Sequence, residues 1–272
     1  MGLRVNTNIA SLASQRNLSI ISTRLSGNFS RLSSGLRVAT AADDAAGLGI
    51  SERMRAQIRS YGTAARNAQD GISLVQTAEG ALNEVSNLLG RMRELAVQSA
   101  NGTLSTADRA TINTEFQAID AEITRVGTQT GFNGLKLLNA AATASIQIGI
   151  DANQTIDVVM ADMRSTALAV DVLDTTSATN ANAAITALDL AIDTVTTQRG
   201  TFGASVNRLQ SAHNSILNAH ENLSAAESRI RDVDVAFETA DMSRNTIMQQ
   251  AATSILSQAN QQPQLALSLL QG

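Results

Sequence analysis

Residues 178–237 read ATNANAAITALDLAIDTVTTQRGTFGASVNRLQSAHNSILNAHENLSAAESRIRDVDVAF. Within them Leu188, Val195, Phe202, Leu209, Ile216, Leu223, Ile230 and Phe237 follow one another at intervals of seven. A second row, Ile192, Arg199, Val206, His213, His220 and Glu227, runs four residues behind it and is partly polar. Rows offset by three and four residues lie on one face of a helix, and a sustained seven-residue repeat keeps that face toward a partner helix. At 1.5 Å per residue the 60 residues would make a helix of roughly 90 Å. A helix of that length cannot bury its own stripe, so the remaining sequence must supply the partner.

The 272 residues carry a net charge of −4 and a sequence pI near 5.2. An acidic balance gives no footprint for nucleic acid. Aromatic residues make up 2% of the chain, with Tyr61 as the single Tyr and no Trp. Thin helical bundles rich in Ala, Leu, Ile and Val fit that composition better than a thick core built on rings. There is no Cys, which removes disulfides, thiol chemistry and Cys-based metal sites together. Met1 to Ser22 lacks the apolar core of a Sec signal, and no run reaches the ~18 apolar residues of a membrane span. The expectation is a chain with no membrane segment that, if exported, leaves by another route.

Five segments follow from the patterning. Residues 1–42 contain Arg4, Arg16, Arg24, Arg31 and Arg37 and no acidic residue; Leu18, Leu25 and Leu32, with Ile21, Phe29 and Leu36 beside them, predict an amphipathic helix stopped at Gly35. A basic, acid-poor start also fits an organellar presequence, but these rows match the C-terminus too closely. Residues 43–139 open at a cap on Thr40 or Asp43. They carry Met54, Tyr61, Ala68, Val75, Leu82, Leu89 and Ala96 at intervals of seven, with Glu79 breaking the companion row of Ile58, Ala65 and Ile72. Asn101-Gly102 marks the end of that helix, and Ser105 or Thr106 begins a shorter one that stops at Gly127. In residues 140–177 the period falls to two: Ile146, Ile148 and Ile150, then Ile156, Val158 and Met160, predict a β-hairpin across a connection of about four residues, followed by a link. Residues 178–237 are the long helix. Residues 238–272 include 28 without a charge, Asn245 to Gly272, with Met248, Ile255, Gln262 and Leu269 at intervals of seven and Ala252, Ala259 and Ala266 alongside. The eleven-residue step from Phe237 to Met248 predicts a joint amid Asp232, Asp234, Glu238 and Asp241, and Pro263 predicts a bend or local opening of the last helix.

The fold class is therefore mainly α: a long antiparallel helical coiled-coil rod with one small β-hairpin and paired N- and C-terminal helices. Chemistry is absent from the pattern. Asp43 and Asp44 diverge by about 100° on a helix and read as caps or intersubunit partners of Arg rather than an acid–base pair. His213 and His220 lie two turns, about 10 Å, apart, too far for one metal ion. No phosphate loop, zinc helix or nucleophile elbow occurs. The reading is not an enzyme, with no cofactor and no metal.

Several literal stretches, in order, resemble bacterial flagellin over nearly the whole chain. At the front these are Val5-Asn6-Thr7-Asn8, RLSSGLR at 31–37 and DDAAGL at 43–48; in the middle RELAVQSANG at 93–102 and TGFNG at 130–134; at the back NLSAAESRIRDVD at 222–234 and LSLL at 267–270. The resemblance implies a secreted structural subunit of the extracellular flagellar filament used for motility, a short form without the variable outer domains. It implies terminal helices that pair, line the inner tube and order only on assembly, with Leu18, Ile21, Leu25, Phe29, Leu32, Met248, Ile255, Leu265 and Leu269 as assembly residues. Leu188, Val195, Phe202, Leu209, Ile216 and Leu223 form the rod seam. Implied partners are further copies of the chain in a helical homopolymer, an export chaperone of the flagellar type III apparatus, a filament cap, hook-junction proteins and a host Toll-like receptor, the last at Arg91, Leu95 and Glu115. A hook–filament junction protein shares the end-pairing design and is the nearer alternative. A discrete helical-bundle binding module is the alternative from another class.

Overall fold

The computed structural model describes residues 7–271, with the side chains through 262. Val5, Asn6 and the side chains of Leu265 and Leu269 lie outside the described residues. Five helices and two short antiparallel strand pairs make up the described residues: α1 (Ile9–Ser34), α2 (Ala45–Ala100), α3 (Thr106–Gln129), β1 (Gly131–Phe132), β2 (Leu135–Lys136), β3 (Ala142–Gln147), β4 (Thr155–Met160), α4 (Ala178–Arg231) and α5 (Val235–Gln271). They form two compact units, one of residues 1–56 and 222–272, the other of residues 57–221. The cuts fall inside α2 and α4.

In the unit of residues 57–221 the core is a continuous set of large apolar side chains. Val75, Leu82, Leu89 and Ala96 of α2 are fully buried, as are Leu188, Phe202 and Leu209 of α4, with Val195 and Ile216 nearly so. Phe116 and Ile123 of α3 complete the helical layer. Two polar members of the second α4 row have partners too. Arg199 Nη2 lies 3.8 Å from Glu79 Oε1, and His213 Nδ1 is 3.2 Å from the Ala65 carbonyl. Fully burying one Leu or Phe is worth about 1.5–3 kcal/mol, so these rows hold the unit together and the exposed ion pairs add little.

The hairpin β3–β4 pairs Ala142 with Met160 through Gln147 with Thr155. Ile156, Val158 and Met160 alternate inward. Its connection spans residues 148–154, longer than the four residues expected, because Ile148 and Gly149 both donate to the Gln154 carbonyl and close a wider loop with Asn153 at φ 64°. A Cβ added at Gly71 of α2 would sit 3.1 Å from Ile146, so a glycine there lets the hairpin lie against the helix. The second pair, β1–β2, turns on Asn133 and Gly134 at φ 48° and 82°, the two positive φ values of a two-residue type I′ turn.

The elements of the other unit are set by their ends. Gly35 closes α1 in the left-handed region at φ 71°, donating to the Arg31 carbonyl. Asp43 accepts from the backbone N–H groups of Thr40 (2.9 Å) and Ala39 (3.2 Å), which hold its carboxyl below the usual carboxylate range. Asp44 receives the Gly47 N–H at 2.9 Å and caps α2. The break between α4 and α5 falls at 232–234, so Phe237 belongs to α5 and is exposed rather than continuing the α4 row. Asp234 caps α5 by accepting from the Phe237 N–H, and Leu36 bridges to Asp232 across the joint. Pro263 does not interrupt α5, which continues to Gln271.

Candidate assembly surface on the terminal helices

Helices α1 and α5 run antiparallel, with Asn8 near Ala259 and Asn28 near Glu238 and Asn245. Two of the side chains that α1 buries here are Ser11 and Asn28; α5 buries Glu238, Asn245, Ala252 and Ala259. The four α5 residues are spaced by seven, so the seam is a heptad seam lined with small and polar groups. Leu18, Ile21, Leu25 and Leu32 are half-buried along it, as is Met248. Other large apolar residues of the two helices lie outside it. Ile9 and Ile247 are each 66% exposed, Ile255 57% and Phe29 56%, with Leu12 and Ile20 also open. Phe29 and Ile255, expected as assembly residues, lie outside the buried rows, which pass through Asn28 and Ala252, one and three residues away.

The polar centre of the seam is closely connected. Asn28 Nδ2 donates to Glu238 Oε1 at 2.6 Å and to Asp241 Oδ2 at 3.3 Å. Asn245 Nδ2 donates to Asn28 Oδ1 at 2.8 Å and to Asp241 Oδ2 at 3.1 Å. Arg31 Nη1 reaches Glu238 Oε1 at 3.3 Å and supplies the positive charge. Buried polar groups at heptad seams fix register and partner at a cost in stability. At the chain ends, Ser11 Oγ donates to Asn260 Oδ1 at 2.7 Å. Asn8, Ser11, Asn28, Glu238, Asn245 and Asn260 were not among the candidate residues. Continuing the Ala259–Ala252 row backward by sevens reaches Asn245 and Glu238, which is the signal that finds them.

The rod-seam residues of α4 lie in the core described above, except that Leu223, in the other unit, is half-buried. Arg91 and Glu115 pair directly: Nη2 and Nε of the guanidinium donate to Glu115 Oε1 at 2.7 and 3.0 Å, and Nη1 to Glu94 Oε2 at 3.0 Å. The bond to Glu115, then that to Glu94, raises the Arg91 pKa further. Leu95 is 2% exposed, because it packs in the apolar core while Arg91 stays at its rim. Among the described residues no group of three His, Asp or Glu is placed to hold a metal ion, and no helix is long and apolar enough to cross a membrane.

Comparison with known proteins places this design. The bacterial flagellin N-terminal helical region matches residues 5–143, and the bacterial flagellin C-terminal helical region matches residues 185–270. The chain is 47% identical to a flagellin of Halalkalibacterium halodurans over 269 residues, covering 98% of this chain and 99% of that one. It is 44% identical to a flagellin of Bacillus subtilis, covering 98% and 100%. Among solved structures it resembles the crystal structure of Bacillus cereus flagellin at a TM-score of 0.50 and 32% identity, over 60% of this chain and 94% of that one. Two family regions that together take up most of the sequence, and relatives matched end to end, make the assignment: the chain belongs to the bacterial flagellin family, as a short member without outer domains, and is a structural subunit of the extracellular flagellar filament and not an enzyme.

Proposed function

We propose that this flagellin polymerises through α1 and α5, and that these two helices gain most of their order only as copies stack. The observation that carries the reading is the inversion on the terminal pair. Small and polar side chains fill the intrachain seam, while Ile9, Leu12, Ile20, Phe29, Ile247 and Ile255 stand in solvent. Ordering each backbone residue costs about 1–2 kcal/mol, and a seam whose fully buried members are Ser, Asn, Glu and Ala, with Leu18, Ile21, Leu25, Leu32 and Met248 only half-buried beside them, returns less apolar burial than that. Neighbouring copies supply the missing cover. A head-to-tail contact that does not close on itself then extends as a helical fibre.

Electron microscopy of the purified chain seeded with filament fragments tests polymerisation, and circular dichroism tests ordering. Fibres and a rise in helix on assembly are the expected outcome. A chain that stays soluble under seeding would remove the polymerisation reading, and equal helicity in monomer and fibre would remove the ordering one.

The finer partners follow from the same family. Export by the flagellar type III apparatus suits ends that unfold readily, a chaperone would cover the apolar side of α5 before export, and a filament cap and hook-junction proteins would receive the two ends of the fibre. The Arg91–Glu115 pair remains the proposed contact for a host Toll-like receptor, with Leu95 buried in the core one turn along α2. Because truncating buried Leu95 would unsettle the core by about 2–5 kcal/mol, the informative variants are Arg91→Ala and Glu115→Ala. In a reporter-cell assay each should weaken the response by roughly tenfold or more. No response to the parent chain, or responses unchanged by both substitutions, would rule the patch out.

A further inference from the structure

We infer that Asn8 and Pro263 act as one register lock for the terminal helices, in which the proline leaves the Ala259 carbonyl without its helical donor and the Asn8 side chain supplies it. In an α-helix each carbonyl accepts from the N–H four residues on. The carbonyl of Ala259 looks to position 263, and a proline has no N–H to give. Ala259 lies on the buried seam, 5% exposed, where water is a poor substitute. Asn8 Nδ2 lies 2.7 Å from that oxygen.

The other end of the same amide is also used. Asn8 Oδ1 accepts the Ser11 N–H at 3.0 Å and caps α1. One side chain thus begins one helix and completes the other. The chain has a single Pro, so Ala259 is the one place in α5 where proline deprives a carbonyl of its donor. Two heptad helices can slide past each other by seven residues and still match small groups to small groups. A slide here would strand the Ala259 carbonyl and free the Asn8 amide. The Ala252 carbonyl, seven residues back, looks instead to the N–H of Leu256 and needs no donor from outside the helix. The neighbouring Ser11–Asn260 bond fits the same alignment. Pro263 is in this view a specificity element rather than a helix breaker.

The inference rests on the filament reading for its readout, and its test separates the two. Four chains are compared in seeded polymerisation: the parent, Asn8→Ser, Pro263→Ala and the double variant. Serine keeps the N-cap but is too short to reach Ala259. With Pro263 present, Asn8→Ser should raise the critical concentration roughly tenfold, the worth of one buried hydrogen bond. With Pro263→Ala the backbone N–H at 263 takes the carbonyl, and Asn8→Ser should then change the critical concentration by less than about threefold. Equal effects in both backgrounds, or none in either, would overturn the lock. A parent chain that forms no fibres would instead overturn the filament reading; the same coupling is then read from thermal melting of the isolated chains, where Asn8→Ser must lower the midpoint only in the presence of Pro263.

Discussion

Replacing Ile9, Ile20, Ile247 and Ile255 together by Gln should abolish filaments while leaving the unit of residues 57–221 folded. All four side chains are open in the single chain, and none belongs to the buried core. Surface changes of this kind usually move the stability of a folded unit by no more than ~0.5 kcal/mol each, and Gln is a better helix former than Ile. If neighbouring copies cover these residues, which are about half to two-thirds exposed, each is worth about 1–2 kcal/mol in the fibre, on the order of 4–7 kcal/mol per subunit for the four. A loss of that size removes assembly at any practical concentration. Sedimentation and electron microscopy after seeding read the loss, and a thermal melt dominated by the 57–221 core reads what is retained. Fibres at the parental concentration would show that the exposed apolar set lies outside the contacts. A melt that falls with assembly would show that the substitutions act within the subunit instead.

That contrast between the two units also explains what could be read in advance. In α2 and α4 the partner helix belongs to the same compact unit, so large apolar side chains at intervals of seven mark the inside; Val75, Leu82 and Leu89 meet the same environment as Leu188, Phe202 and Leu209. The polar interruptions were legible as well, since Glu79 and Arg199 break equivalent rows and face each other. On α1 and α5 the rule that size marks the inside fails. The fully buried members of the seam within the chain are polar or small, Leu18, Leu25 and Leu32 are only half-buried, and Ile9, Phe29, Ile247 and Ile255 stand in solvent. Heptad spacing located the helices, but periodicity does not say whether the partner of Phe29 and Ile255 is the same molecule or the next one. The α4–α5 joint shows a second limit. A row at intervals of seven passes through Ile230 to Phe237 without a gap, yet the helix stops at Arg231, because Asp234 offers its side chain to the Phe237 N–H and starts a new helix. Leu95 shows a third: residues i and i+4 share a helical face, but one lies at its centre and the other at its edge.

The second large effect is expected at the polar centre of the seam. Asn28→Asp changes no volume, yet it should prevent pairing of α1 with α5 at neutral pH. The Asn28 Nδ2 group donates to both Glu238 and Asp241. A carboxylate in its place offers oxygen where those oxygens need a donor, and puts a third negative charge beside Glu238 and Asp241, which already pair with Arg31 and Arg244 respectively. Removing one partner from a buried charged network typically costs about 3–5 kcal/mol. Asn28→Leu removes the donors without adding charge and should cost less, about 1–3 kcal/mol for the unsatisfied groups it leaves. The order of critical concentrations should therefore be parent, Asn28→Leu, Asn28→Asp. Acid separates charge from shape. A carboxyl crowded by two others has its pKa raised on folding, so its penalty is present at neutral pH and fades as pH falls through that raised value. Relative to the parent at each pH, Asn28→Asp should regain assembly on mild acidification, and Asn28→Leu should not. If Asn28→Asp assembles like the parent at neutral pH, the cluster does not hold the pair. If acid restores both variants equally, the defect is one of packing, and the seam's register is set elsewhere along it.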